Sequence, residues 1–181
     1  MEFLMAVRLG MILLLLQMAA RPAVSDEPVQ PLKQAKVGDY VVFKLSGPGI
    51  HGTMRQEVVA VTDKHVTIKT TSTTNGIVLP ASEQTVDLAV NYDPTFEAKN
   101  RANNQVVDTG KGEETLTING KAYKCDWRSN SAKTNQGGLE IVTESKVWIS
   151  NDAPVYGLVK TINKTFGQEV VMELSEAGGK P

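Results

Sequence analysis

The chain has 181 residues, 41% hydrophobic, 22% charged and 6% aromatic, with a formal net charge of −1. That balance excludes a disordered or collagen-like polymer and a multi-pass membrane protein, and the lack of a basic excess speaks against nucleic acid as a partner. The length suits one modest globular domain, since domains run roughly 100 to 200 residues.

Residues 1–25 read as a secretory signal peptide. Arg8 precedes an apolar run over 9–16, Met18, Ala19 and Ala20 continue it past Gln17, and Ala23-Val24-Ser25 supplies small residues at a cleavage site. A membrane-spanning helix needs about 20 mostly apolar residues, and Arg8 and Gln17 interrupt this run. Cleavage leaves 156 residues with net charge −2, a periplasmic or secreted protein that does not span the membrane. Cys125 is the only cysteine, so no internal disulfide forms, and no cysteine stands at the cleavage site for lipidation. Its place in an alternating strand reads as a buried, inert thiol.

After the leader, residues 26–37 carry Pro28 and Pro31 without helical or alternating period and read as a flexible arm. An antiparallel β domain follows over 38–175. Its short runs rich in β-branched and aromatic residues lie at 40–45, 54–61, 66–73, 84–90, 114–118, 121–128, 140–150, 157–162 and 168–174. About nine strands separated by turn signals predict an all-β fold with minor helix, as a curved antiparallel sheet or half-barrel. Asn119-Gly120 predicts a type I′ hairpin, because both residues tolerate positive φ. Ile118 then pairs with Lys121, Leu116 with Tyr123, and Glu114 with Cys125, which gathers Leu116, Ile118, Tyr123, Cys125 and Trp127 on one face. A weaker turn at Asp63-Lys64 sets Val61 opposite Val66 and Val59 opposite Ile68. One short helix is expected over 93–100, where Asp93 caps and Pro94 takes the first helical position. The stretch from there to Gly112, with Asn103, Asn104 and Gly110, reads as a polar loop, and residues 176–181 as a disordered tail.

No catalytic constellation is visible, so the expectation is a non-enzymatic protein without cofactor or metal. His51 and His65 fall beside hairpin turns and read as exposed. Cys125 by itself does not make a zinc site. Gly47-Pro48-Gly49 is followed by a strand rather than the helix that a phosphate loop requires. Asn163-Lys164-Thr165 matches a glycosylation acceptor by spacing only. Glu140 and Glu144 share a strand face with Lys146, the pattern of a solvated outer surface. Tyr123, Trp127 and Trp148 are the remaining pointers. Large aromatic residues on strands anchor a core by default, but on a sheet open along one face they would line an apolar groove and are the candidate ligand-binding residues.

Trp148-Ile149-Ser150, followed by Pro154 and then Gly157-Leu158-Val159-Lys160, resembles a strand, proline turn and strand signature of exported bacterial proteins. With Asn119-Gly120-Lys121 and Gly38-Asp39-Tyr40, the chain resembles uncharacterised secreted β proteins of the planctomycete type. These in turn resemble lipoprotein-carrier-like half-barrels of the periplasm. The resemblance implies a curved sheet around an apolar concavity that takes a lipid-like ligand, although the chain offers one short helix where carriers use several. Two functions follow as expectations. One is an envelope protein binding an apolar or lipid-like molecule on the concave face; the other is a structural or protein-interaction module with a filled interior, meeting an envelope protein through an edge strand or loops.

Overall fold

A computed structural model describes residues 31–89, 104–136 and 139–179. The expected leader at 1–25 and the expected helix at 93–100 lie outside the described residues.

Alternation of apolar and polar residues builds the strands. β1 (Tyr40–Gly47) buries Val41, Phe43 and Leu45 at every second position, and β10 (Gln168–Gly178) buries Val170, Met172 and Leu174 in the same rhythm. Between them in sequence come β2 (Ile50–Val61), β3 (His65–Thr74), β4 (Ile77–Val78), β5 (Ser82–Asp87), β6 (Asn104–Ile118), β7 (Lys121–Gln136), β8 (Leu139–Ile149) and β9 (Leu158–Thr165). The ten strands form one antiparallel sheet in the order β4-β3-β2-β1-β10-β9-β8-β7-β6, with β5 pairing β3 off this path. Its end strands do not pair with each other, so the curved sheet does not close into a barrel. The chain thus makes two meanders, β1–β5 and β6–β10, joined by the pairing of β1 with β10. That junction, Phe43 against Leu174 and Leu45 against Met172, is the long-range contact on which a single core depends.

Four irregularities bend the sheet, at Val42/Phe43, Val58/Ala60, Asp108/Gly110 and Trp148/Ile149. The second corrects an expected pairing. Val58, not Val59, faces Ile68, because an extra residue between Val58 and Ala60 sets the buried Met54, Gln56 and Val58 on one face while Val61 still meets Val66. The Asn119-Gly120 turn has φ of 50° and 80°, and every pairing expected from it is present.

Three expected boundaries are corrected. Residues 31–37 are not a flexible arm: Pro31–Gln34 form a short 3-10 helix whose Leu32 joins the core. The helix seats against the β8–β9 loop, where a β-carbon on Gly157 would fall 2.7 Å from Pro31 Cγ. The polar loop expected up to Gly112 is strand from Asn104 onward, and β7 extends alongside it to Gln136. The tail expected over 176–181 is strand as far as Gly178, which pairs with Tyr40. The tenth strand, β4, follows a second Asn-Gly turn, Asn75-Gly76, with φ of 50° and 80°.

The end of β8 is buried on both faces, since Val147, Trp148 and Ile149 are all inaccessible. The loop after β8 supplies part of that cover with Ala153, Val155 and Tyr156. Ser150 N–H donates to Gly157 O at 2.8 Å and closes the loop at its neck. Val155, a β-branched residue, is held there at φ 62°, in a region such residues avoid.

Candidate functional site

The three aromatic residues singled out by sequence come together on one face of the β7–β8 pair. Trp127 lies directly opposite Trp148, and Tyr123 precedes Trp127 by four residues on the same face of β7. The structure brings them together against the core. Tyr123 is 4% exposed and Trp148 5%, and both belong to the continuous core; Trp127 is half-buried against it.

Two charged residues complete the cluster: Lys146, expected on a solvated outer face, and Glu114, expected only as the cross-strand partner of Cys125. Lys146 sits two positions before Trp148 on the same strand face, and its Nζ lies 4.1 Å from the centre of the Trp127 ring and 4.4 Å from that of Trp148. Glu114, on the same face of β6, accepts a hydrogen bond from Trp148 Nε1 at 2.8 Å, with Lys146 Nζ 3.9 Å away. An ammonium over an indole contributes about 0.5 to 2 kcal/mol, the more so as it is desolvated. The indole N–H, which costs free energy when buried without a partner, is satisfied by a carboxylate. The charged groups therefore seal the aromatic surface. Lys121 does the same at the other end, with Nζ 4.7 Å from the Tyr123 ring centre.

The glycines that read as loop residues serve this cluster. Gly112 faces Trp127 across the β6–β7 pair, and a β-carbon there would fall 2.9 Å from Trp127 Nε1; at Gly110 it would fall 3.2 Å from the ring. The indole lies flat over backbone that carries no side chain. The signal in the sequence was a pair of glycines spaced by two, legible only once their cross-strand partner is known.

Cys125 lies between Tyr123 and Trp127 on the same face. It is buried, donates weakly to Tyr123 O at 3.5 Å, and burial pushes its thiol from 9.0 up to about 11. That is the opposite of the shift a nucleophilic thiolate needs. His51 and His65 are exposed. Glu140 and Glu144 pair with Lys133 at 3.2 Å and Lys164 at 4.0 Å. Among the described residues no group of three or more His, Cys, Asp or Glu is placed to hold a metal ion, and no helix is long and apolar enough to cross a membrane.

A groove of about 730 Å3 lies elsewhere, with Lys44, His51, Thr53, Asn75 and Glu173 among its walls. None of Tyr123, Trp127 and Trp148 lines it.

No protein-family pattern matches the sequence. No curated protein matches it either. Solved structures do. A candidate exported protein with a YmcC-like fold from Bacteroides fragilis superposes with a TM-score of 0.57 at 10% identity, over 80% of this chain and 97% of that one. A candidate lipoprotein from Parabacteroides distasonis gives a TM-score of 0.52 at 13% identity, over 79% of this chain and 96% of that one. At such identities the likeness is one of fold. It agrees with the expected likeness to exported bacterial β proteins and corrects its finer part: these two are Bacteroides and Parabacteroides proteins, and neither is described as a planctomycete protein or a lipoprotein carrier.

Proposed function

We propose that this chain is a non-enzymatic protein exported to the cell envelope, where it serves as an interaction module with a filled interior rather than as a carrier of an apolar molecule. The observation that supports this is the sealed aromatic cluster. A lipid-like ligand approaching the indoles would have to displace the Lys146 ammonium from both rings. It would also cover the Glu114 carboxylate that holds Trp148 Nε1, desolvating a charge without supplying a partner for it. Export rests on the leader at 1–25 and on the described character of the two similar structures, which is a property of those proteins.

The reading is tested by native mass spectrometry and solvent extraction of the purified protein. Empty protein with no extractable acyl chain is the expected result. A stoichiometric lipid that disappears on Trp127→Ala would restore the carrier reading, with Tyr123, Trp127 and Trp148 as its ligand-binding residues.

A further inference from the structure

β6 ends the sheet, and the charges beside its outer edge are arranged in an unusual way. The two-residue Asn119-Gly120 turn makes Ile118 and Lys121 a hydrogen-bonded pair, so the alternation along the hairpin turns the backbone groups of Lys111, Glu113, Thr115 and Thr117 outward. All four residues are exposed, and among the described residues nothing pairs with this edge. On one face Lys111 lies directly opposite Arg128, and two residues along Glu113 lies directly opposite Asp126. Both are non-hydrogen-bonded pairs, where side chains approach most closely, and like charges directly opposite are destabilising. Among the described residues none of the four forms an ion pair.

We propose that this edge binds a second copy of the chain, strand to strand and antiparallel, about a two-fold axis at Gly112. The proposal rests on the interaction-module reading above and names its partner. In this register Lys111 faces Glu113 of the other copy and Glu113 faces its Lys111. The positive row Lys111-Arg128 thereby continues into the negative row Glu113-Asp126 of the other protomer. The repulsion held in each monomer becomes attraction across the axis, and the outward N–H and C=O groups of both residues find partners. Charge selects the register: centring the axis on Lys111 sets lysine against lysine, and centring it on Glu113 sets glutamate against glutamate. On the opposite face the axis brings Gly112 against Gly112 and Glu114 against Gly110, so no β6 side chain larger than Glu114 stands there, and the Trp127 indole of each copy lies over its own Gly110 and Gly112. The bulge at Asp108/Gly110 bends β6 away beyond this segment, which keeps the pairing short and the dimer finite.

The test is sedimentation of the purified exported protein, its leader removed, by analytical ultracentrifugation across micromolar to millimolar concentration, at low and high salt. A monomer–dimer equilibrium that weakens with salt is expected. Lys111→Glu and Glu113→Lys should each weaken it by about tenfold or more, since symmetry places each changed pair in the interface twice, and the double exchange should restore it. Lys111→Glu also removes the repulsion with Arg128, so its monomer should unfold at the same or higher denaturant concentration, which separates lost association from lost folding. A chain that stays monomeric throughout, or a dimer indifferent to the charge reversals, overturns the proposal. Either result without bound lipid leaves the interaction-module reading standing, whereas co-purified lipid removes that reading on its own.

Discussion

Gly112 and Trp127 face each other across the β6–β7 pair, and the indole fills the space that a side chain at 112 would take. The pair connects the edge strand to the aromatic cluster, because the same ring carries the Lys146 ammonium on the sheet face. Gly112→Ala is therefore expected to destabilise the protein despite the usual gain on replacing glycine in a strand. Overpacking costs about 1 to 3 kcal/mol and outweighs the roughly 0.5 to 1 kcal/mol of backbone entropy recovered. Urea denaturation checks this; a midpoint at or above that of the parent would show that the ring moves aside freely.

Trp148 Nε1 and Glu114 form the polar anchor of the cluster. Trp148→Phe keeps most of the ring but removes the donor, and is expected to cost about 1 to 3 kcal/mol, as the loss of a hydrogen bond to a charged group does. Glu114→Gln should cost less, because its side chain is 45% exposed and water replaces part of the loss. A double-mutant cycle should give a coupling of about 0.5 kcal/mol or more. Strict additivity would separate the two groups energetically.

Cys125 predicts a pH dependence. Its thiol is raised in the folded protein from 9.0 to about 11, chiefly by burial. The unfolded chain therefore loses this proton first, so the neutral thiol's contribution is complete below about pH 9 and is lost as the pH rises toward 11. Cys125→Ala should flatten this part of the stability profile. The native thiol should also react slowly with a thiol reagent and quickly in denaturant; equal rates would place it at the surface.

Leu116→Asp and Phe43→Ala probe the two meanders. Phe43 is fully buried at the β1–β10 junction, and its truncation should cost about 3 to 5 kcal/mol. Leu116 is half-buried against the core, so a carboxylate there should cost about 2 kcal/mol, part of its charge remaining in water. Both changes should shift a single cooperative transition. Two separate transitions would show that the meanders fold independently.

The parts of the fold legible in the sequence are those fixed by short-range chemistry. Asn119-Gly120 determines its hairpin register by itself, and with it the shared face of Leu116, Tyr123 and Trp127. Asn75-Gly76 carries the same signal, but the strand after it has only Ile77 and Val78, both exposed, and no alternation to read. The first half of β6 looked like a loop because Asn104, Gly110 and Gly112 are poor strand formers; what packs on the two glycines is a tryptophan fifteen residues beyond Gly112 in the chain, and Asn104 pairs with Thr134. Lys146 read as one charge of a solvated face; its place over two indoles depends on pairing that no local pattern encodes.

The most direct measurement of the sealed interior is hydrogen exchange of the two indole N–H groups by NMR. Trp148 Nε1–H, buried and bonded to Glu114, should exchange far more slowly than Trp127 Nε1–H, and neither resonance should move on titration with a medium-chain fatty acid. Equally fast exchange of both groups, together with saturable shifts on adding the fatty acid, would contradict the account.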